Sequence, residues 1–557
     1  MDANPDTTRP PGLRQYLSLY LLGALRVGPI AALAFWAARD QAVRSVVAVL
    51  LTGFLEIYVV AALARTWRLF YLASFPLFLL GVLYASYTIL YGTPPGRSLA
   101  FILLTTSPEE VVGFLTLAEA RWPTLIFLGL TAVYFFIAWR LPSSFRIAPV
   151  NRGKAQRWAI PVLLLPLTAY AAWNADEFID GAAYEPAIGG VMFFAGTVPR
   201  AQDALHGAQV TKLPYRARRA DSDEEVHVLV LGESARRDSW SAYGYIRRTT
   251  PYLDTLKQEA IFLQNAVADA NVTTWAVPVV LTGMTPEQLG TQTIRGNIVD
   301  LAKEAGYRTA WLLNQDITIS AGVGIAADRT VYPPDFKANI LDRHTLDETL
   351  LPAYQRELNR SGSARFIGIH MMGSHWEYYR RYPPAFRRFG SGDDLSTISI
   401  FVTGKKVESG VVDTYDNTVI YTDWFLKQVI EPARRLAVPI TVTFFPDHGE
   451  DLQLLDGHSG HGAPEYTPHA FSIPAFVWIN DAYAKAHPDK VAALRRNAGK
   501  QIRSHDVFGT LADLMDITWP GQQAARSFAS DGFVPDRMAK YSAGGVLVTQ
   551  DRISAQR

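Results

Sequence analysis

Five stretches within the first 175 residues are apolar and long, running approximately over 15–37, 43–64, 69–91, 123–140 and 157–175. Crossing roughly 30 Å of bilayer hydrocarbon takes about 20 helical residues, so each is a candidate membrane span. The first is too long, and too closely followed by others, to read as a cleaved signal peptide. The chain of 557 residues therefore divides by composition, with most of its charge after residue 200. That division gives a transmembrane domain over 1–175, a connector over 176–222 and a soluble domain over 223–557.

Arginine and lysine in the short loops set the orientation, because cytoplasmic loops retain positive charge. Arg9, Arg14, Arg65, Arg68, Arg140, Arg146, Arg152, Lys154 and Arg157 fall on one side, against Arg39, Arg44, Arg97 and Arg121 on the other, nine to four. The N-terminus is then cytoplasmic. An odd number of crossings delivers everything after about residue 176 to the far side, which for a bacterial inner membrane is the periplasm. Membrane lipid and envelope glycans are the substrates within reach.

Arg26 and Glu56 stand inside the first two spans, and an unpaired charge at mid-bilayer costs about 2.5 kcal/mol or more. An antiparallel arrangement predicts an ion pair between them; separate snorkelling is the alternative. In the loop 92–122, Ser107, Pro108, Glu109 and Glu110 have the signature of a helix N-terminus, capping alone explaining the glutamates as well as substrate contact does. The connector ends in the charged run RARRADSDEE.

Beyond it, short apolar runs alternate with helical patterns: VHVLVLGES from 226, then RTAWLLN, RFIGIHMMG and PITVTFFPDHG. Such runs predict a mainly parallel sheet covered by helices on both faces, an α/β fold. The Gly-, Ser- and Asp-rich stretch 390–412 reads as a surface loop. A net charge of +1 and the lack of a basic run with interleaved aromatics exclude nucleic acid as a partner class. With no cysteine, disulfides and thiolate ligands are excluded, and any metal must be held by oxygen and nitrogen.

Ligands of open α/β sheets bind beyond the carboxyl ends of the strands, which weights polar residues found there. Glu233 follows the first run, His370 and His375 the third, Asp447 and His448 the fourth, with His458 and His461 shortly after. Carboxylates and imidazoles together suit Zn²⁺, and a site with an open position would be catalytic. Thr273 and Thr274, ahead of an apolar helical stretch, supply hydroxyls. Such a pair reads either as a helix cap or as a nucleophile at the positive end of a helix dipole.

In order and spacing, five blocks resemble the phosphoethanolamine transferase family, membrane enzymes of the alkaline phosphatase and sulfatase superfamily. They are LGESARRDSWSAYGYIRRTTPYLD, TTWAVP, HMMGSHWEYYRRYP, YDNTVIYTDWFL and PDHGED. The resemblance covers nearly the whole chain. It implies an alkaline phosphatase/sulfatase-like catalytic domain in the periplasm and a zinc ion, one firmly bound and a second possible. Glu233, Asp447 and His448 match the family's metal ligands, and Thr273 its nucleophile and fourth ligand. His375 and His461 match histidines that bind substrate and handle protons, with His458 a competitor of His461 and His370 a further substrate-binding candidate. Glu110 lines up with a glutamate implicated in binding the lipid.

The implied reaction moves phosphoethanolamine from phosphatidylethanolamine, through a covalent intermediate on Thr273, to an acceptor in lipopolysaccharide (lipid A or core) or in a periplasmic glycan. Ile102, Trp275, Trp376 and the absent cysteines depart from the lipid A enzymes and tilt the expectation towards other envelope acceptors. A phosphoglycerol transferase, a sulfatase-like hydrolase of the same superfamily and a non-catalytic envelope scaffold are the alternatives.

Overall fold

The structure is a computed structural model. It describes residues 17–25, 27, 64, 66–91, 118–142, 214–219, 223–289, 296–315, 326–333, 345–376, 378–390, 409–452, 460–461, 466–537, 539–543 and 546–550. These belong to two compact units, one before residue 202 and one after it.

In the first unit, helices α1 (Trp67–Tyr91) and α2 (Ala118–Arg140) pack through aromatic rings. Tyr134 stacks on Phe78 at 4.3 Å between centroids and donates its hydroxyl to the Tyr71 carbonyl at 3.2 Å. The apolar stretches 69–91 and 123–140 lie within these two helices. Among the described residues no helix is long and apolar enough to cross a membrane. Most of the other three predicted spans lies outside the described residues, as do Arg26, Glu56 and Glu110.

The second unit is built on a seven-stranded sheet. Its strands are β1 (Val226–Gly232), β2 (Ala260–Leu263), β3 (Arg308–Leu313), β4 (Arg329–Val331), β5 (Arg365–His370), β6 (Ile440–Pro446) and β7 (Ala475–Ile479), in the spatial order β2-β7-β6-β1-β5-β3-β4. The four predicted runs are β1, β3, β5 and β6, and they form its parallel centre with β4. The expectation of a mainly parallel sheet needs one amendment. β7 runs antiparallel to both β6 and β2, so the sheet is mixed.

Both faces are covered, which is why the central strands read as mostly apolar runs. On β1, Leu229 and Leu231 face a core that includes Val277, Val280 and Leu281 of α3 (Thr273–Thr282). Ile298 and Leu301 of α4 (Ile298–Glu304) belong to the same core, as do Val507 and Leu511 of a later helix, 506–514. Val226, Val228 and Val230 face the other core, with Tyr354 of α5 (Leu351–Leu358) and Tyr415, Val419, Leu426 and Ile430 of α6 (Ser409–Arg434). The start of α6 at Ser409 shortens the loop predicted to reach 412. Helix 506–514, labelled α7 (Asp506–Leu514), lies in the first of these layers.

Candidate active site

Glu233 and Asp447 leave the sheet side by side, because Gly232 and Pro446 are register partners at the carboxyl ends of β1 and β6. The Asp447 amide donates to the Gly232 carbonyl at 3.0 Å. Ser234 then turns the chain with a left-handed φ of 52°. Its amide donates to Asp447 Oδ1 at 3.1 Å and its hydroxyl to Glu233 Oε1 at 2.7 Å. Tyr415 holds this turn from α6, donating to the Ser234 carbonyl at 2.6 Å and accepting from the Arg236 amide at 2.7 Å.

Thr273 is the first residue of α3, and Val272 is the N-cap, without a side-chain cap. The threonine is therefore no cap. Its hydroxyl lies 3.4 and 3.3 Å from the two Glu233 oxygens and 3.2 Å from His448 Nε2. Thr274 parts company with it: its hydroxyl is buried with no hydrogen-bond partner among the described residues.

His448 Nδ1 lies 2.7 Å from the Gly449 carbonyl, an acceptor, so this nitrogen carries the proton and Nε2 presents its lone pair inward. Nε2 is 3.4 Å from Asp447 Oδ2 and 3.6 Å from Glu233 Oε1. Gly449 cannot be larger, since a Cβ there would lie 2.0 Å from the His469 carbonyl oxygen.

Burial, reinforced by Asp447, pushes the Glu233 carboxyl up to about 8. Burial raises Asp447 to about 6 and lowers His448 to about 4. Two crowded carboxylates and a neutral imidazole are thus sealed from water with too little positive charge among them. Among the described residues Asp447 Oδ2 is buried without a hydrogen-bond partner, an orphan that a cation would satisfy. Donor atoms of Glu233, His448 and His461 all lie within 4.8 Å of one another. An oxygen and nitrogen set of this kind fits zinc.

His461, which the family resemblance assigns to substrate and proton handling, brings its ring to 4.5 Å from that of His448 and 5.5 Å from that of His375. Glu450 fixes it through Nδ1 at 3.0 Å. Burial opposes its charge, but Glu450, with Glu233 and Asp447, outweighs that and raises it to about 9. His375 moves the other way, well below its usual range, because burial is joined by Arg381, His461 and His448.

The turn carrying His375 is anchored by Asp347. Its two oxygens accept from the Met372 amide at 2.8 Å and the Gly373 amide at 2.9 Å. His370, the last residue of β5, is fully buried with neither ring nitrogen hydrogen-bonded among the described residues, and burial lowers it to about 3. The structure therefore gives it no polar link to this cluster. His458 and Glu110 lie outside the described residues.

Sequence reasoning missed Gln315, whose side-chain amide donates to Glu233 Oε2 at 2.8 Å and to the Met371 carbonyl at 3.1 Å. It stands two residues past β3, at the strand edge that singled out Glu233, so the same rule would have found it. Glu450, Asp347 and Tyr415 were missed as well. They act through the residues they hold, and no spacing pattern marks that.

A family model described as Sulfatase matches residues 226–517 of this chain. The phosphoethanolamine transferase EptC of Escherichia coli K12 is 24% identical over 474 residues, 80% of either chain. The integral membrane lipooligosaccharide phosphoethanolamine transferase A of Neisseria meningitidis superposes with a TM-score of 0.69 at 21% identity, over 92% of this chain and 97% of that one. The periplasmic domain of E. coli EptC, solved in complex with Zn, gives 0.53 at 22% identity over 60% of this chain and 95% of that one. With its model spanning more than half of the residues, the chain belongs to the sulfatase family, and E. coli EptC, to which it is similar, is a phosphoethanolamine transferase.

Proposed function

We propose that the chain is a zinc-dependent phosphoethanolamine transferase of the bacterial inner membrane. Phosphatidylethanolamine is the donor, and an envelope lipopolysaccharide or glycan is the acceptor. The observation that carries this reading is the Thr273 hydroxyl, which opens a helix without capping it and lies 3.2–3.4 Å from His448 and Glu233. The named transferases among its relatives supply the group transferred. The five spans, the cytoplasmic N-terminus, the connector over 176–222 and the periplasmic catalytic domain over 223–557 belong to the same proposal.

Glu233, Asp447, His448 and Thr273 would hold the zinc ion, with His461 adjoining. When bound, zinc lowers the pKa of a hydroxyl and neutralises charge developing on phosphate oxygens. The chain's own residues do the rest. Thr273 Oγ1 points its proton at Glu233 and its lone pairs at the site, and the dipole of α3 favours negative charge at that end. As Thr273 Oγ1 attacks phosphorus it gives its proton to the Glu233 carboxylate, the Thr273 O–P bond forms and the bond to the diacylglycerol oxygen breaks. His461, held in its charged form by Glu450, donates the proton that oxygen needs to leave as an alcohol. His375, kept neutral, accepts the proton of the acceptor hydroxyl as that oxygen displaces Thr273, whose oxygen takes its proton back from Glu233; a proton passed from His375 to His461, whose rings lie 5.5 Å apart, restores the starting state.

Trapping the intermediate tests the reading. Incubation of the full-length protein with phosphatidylethanolamine, followed by peptide mass spectrometry, is expected to find about 123 Da added to Thr273, and Thr273→Ala to abolish it with the fold intact. An addition of about 154 Da would make the chain a phosphoglycerol transferase instead. Full transfer by Thr273→Ala would remove Thr273 from the mechanism.

A further inference from the structure

With no side chain capping α3, something else must fix where Thr273 begins the helix. Three of the four residues before Val272 are hydrogen-bonded to segments more than 200 positions away. The Ala268 amide donates to the Phe471 carbonyl at 2.8 Å, and the Ser542 amide donates to the Asp269 carbonyl at 2.8 Å. The Asn271 amide donates to the Ser542 carbonyl at 3.2 Å, and the Asp269 amide to Ser504 Oγ at 3.2 Å.

The Asp269 side chain gathers these segments. It is fully buried, and Oδ2 accepts from the His505 amide at 2.9 Å and from His505 Nδ1 at 2.8 Å, while Oδ1 pairs with Arg503. Arg503, itself buried, stacks 3.8 Å over the Tyr541 ring and donates to the Lys540 carbonyl at 2.9 Å and to that of Ala539. Burial alone would raise Asp269; the neighbouring His505 and Arg503 outweigh it and hold the carboxyl down to about 2. The carboxylate therefore bonds as an acceptor only, and the strand preceding α3 is locked to the segment that opens α7.

We infer that Asp269, through Arg503 and His505, is a positioning residue for the transfer reaction, setting the register at which Thr273 Oγ1 meets Glu233 and His448. A misplacement of about 1 Å at a nucleophile can cost on the order of 10²-fold in rate. The inference rests on the proposed function, since it needs Thr273 to be the reacting group.

The test uses the full-length protein in detergent with phosphatidylethanolamine and Asp269→Asn, which keeps the shape and one acceptor oxygen but removes the charge that orders Arg503. Expected are a 30- to 100-fold loss of kcat for adduct formation, a donor KM within about threefold of wild type and an unchanged zinc content. A folded variant with kcat within about threefold of wild type, or with only its Tm or KM altered, overturns the inference. Should Asp269→Asn not fold, Asp269→Asn/Arg503→Gln removes both buried charges together and is judged by the same split of kcat from KM. Thr273→Ala run beside them separates the two claims. If it is active the proposed function falls, whereas a dead Thr273→Ala beside a fully active Asp269→Asn removes the positioning role alone.

Discussion

Replacing Gly373 with alanine should injure the site from the backbone outwards. Gly373 has a left-handed φ of 49°, and a Cβ there would lie 2.8 Å from the Glu233 carbonyl oxygen, 3.1 Å from its nitrogen and 3.2 Å from its Cβ. A left-handed residue with a side chain costs about 1–2 kcal/mol. The collision adds to this, because the Ser374 amide bonds that same carbonyl at 3.0 Å and the Gly373 amide bonds Asp347 at 2.9 Å, so the turn cannot retreat without breaking one of them. Losing one such bond costs about 1 kcal/mol, for a total of about 2–3 kcal/mol. In a unit of this size that lowers Tm by roughly 3–4 °C. The alternative relaxation moves Glu233, whose carboxylate must stay in register with Thr273 and His448, and costs on the order of 10- to 100-fold in adduct formation. Thermal unfolding followed by tryptophan fluorescence, with adduct formation measured on the same sample, reads both. A variant with Tm within about 1 °C and an adduct rate within about twofold of wild type would refute the argument.

Two further outcomes follow from the same geometry. Stripped of metal by a chelator, the protein should lose stability as pH rises from about 5 to about 8. Glu233, raised by burial from 4.5 to about 8, keeps in the folded state a proton that the unfolded chain releases, so the folded state binds more protons in that window and the slope is negative. Glu233→Gln should flatten the curve by on the order of 3 kcal/mol across it, and parallel denaturation curves for the two chelated proteins would contradict this. At the start of α4, Asn297 accepts from the Val299 and Asp300 amides at 3.0 and 3.1 Å while Asp300 returns a bond to its amide at 3.2 Å. Asn297→Ala should cost about 1 kcal/mol in thermal stability and leave adduct formation unchanged; a lost adduct would tie α4 to the chemistry.

The sheet's parallel centre was legible because burial on both faces makes most positions of β1, β3, β5 and β6 apolar. The antiparallel placement of β7 was not, since pairing direction is decided by how the chain returns to the sheet rather than by the composition of AFVWI. Glu233, Asp447 and His448 were legible for a topological reason: they follow strands that end at one edge. The hydroxyl pair was legible only as an ambiguity, because a cap and a nucleophile ask for the same residue at the same kind of place. Packing makes Val272 the N-cap and turns Thr273 towards the Glu233 carboxylate and His448, which removes the cap reading. Asp269 was invisible in sequence, since its partners Arg503 and His505 come from more than 230 positions downstream.

Clustered donors do not by themselves make a metal site, and this chain contains the control. Glu225, His487 and Asp516 also bring ligand atoms within 4.8 Å of one another. There, His487 bridges the two carboxylates at 2.9 and 3.2 Å, Arg219 approaches Glu225 at 3.6 Å and Lys490 pairs with Asp516. Against the effect of burial, His227 and His487 hold Glu225 well below the ordinary carboxylate range. Its negative charge is already answered by the protein, so a divalent cation would have to displace hydrogen bonds and endure two neighbouring cations. At Glu233 and Asp447 the balance is reversed, with carboxyls pushed towards their neutral forms and an Asp447 oxygen left without a hydrogen-bond partner among the described residues. A cation supplied from outside the chain would answer such a deficit. The mismatch between carboxylates and cations, more than the proximity of donors, is what separates the candidate site at the sheet edge from the ionic network around Glu225.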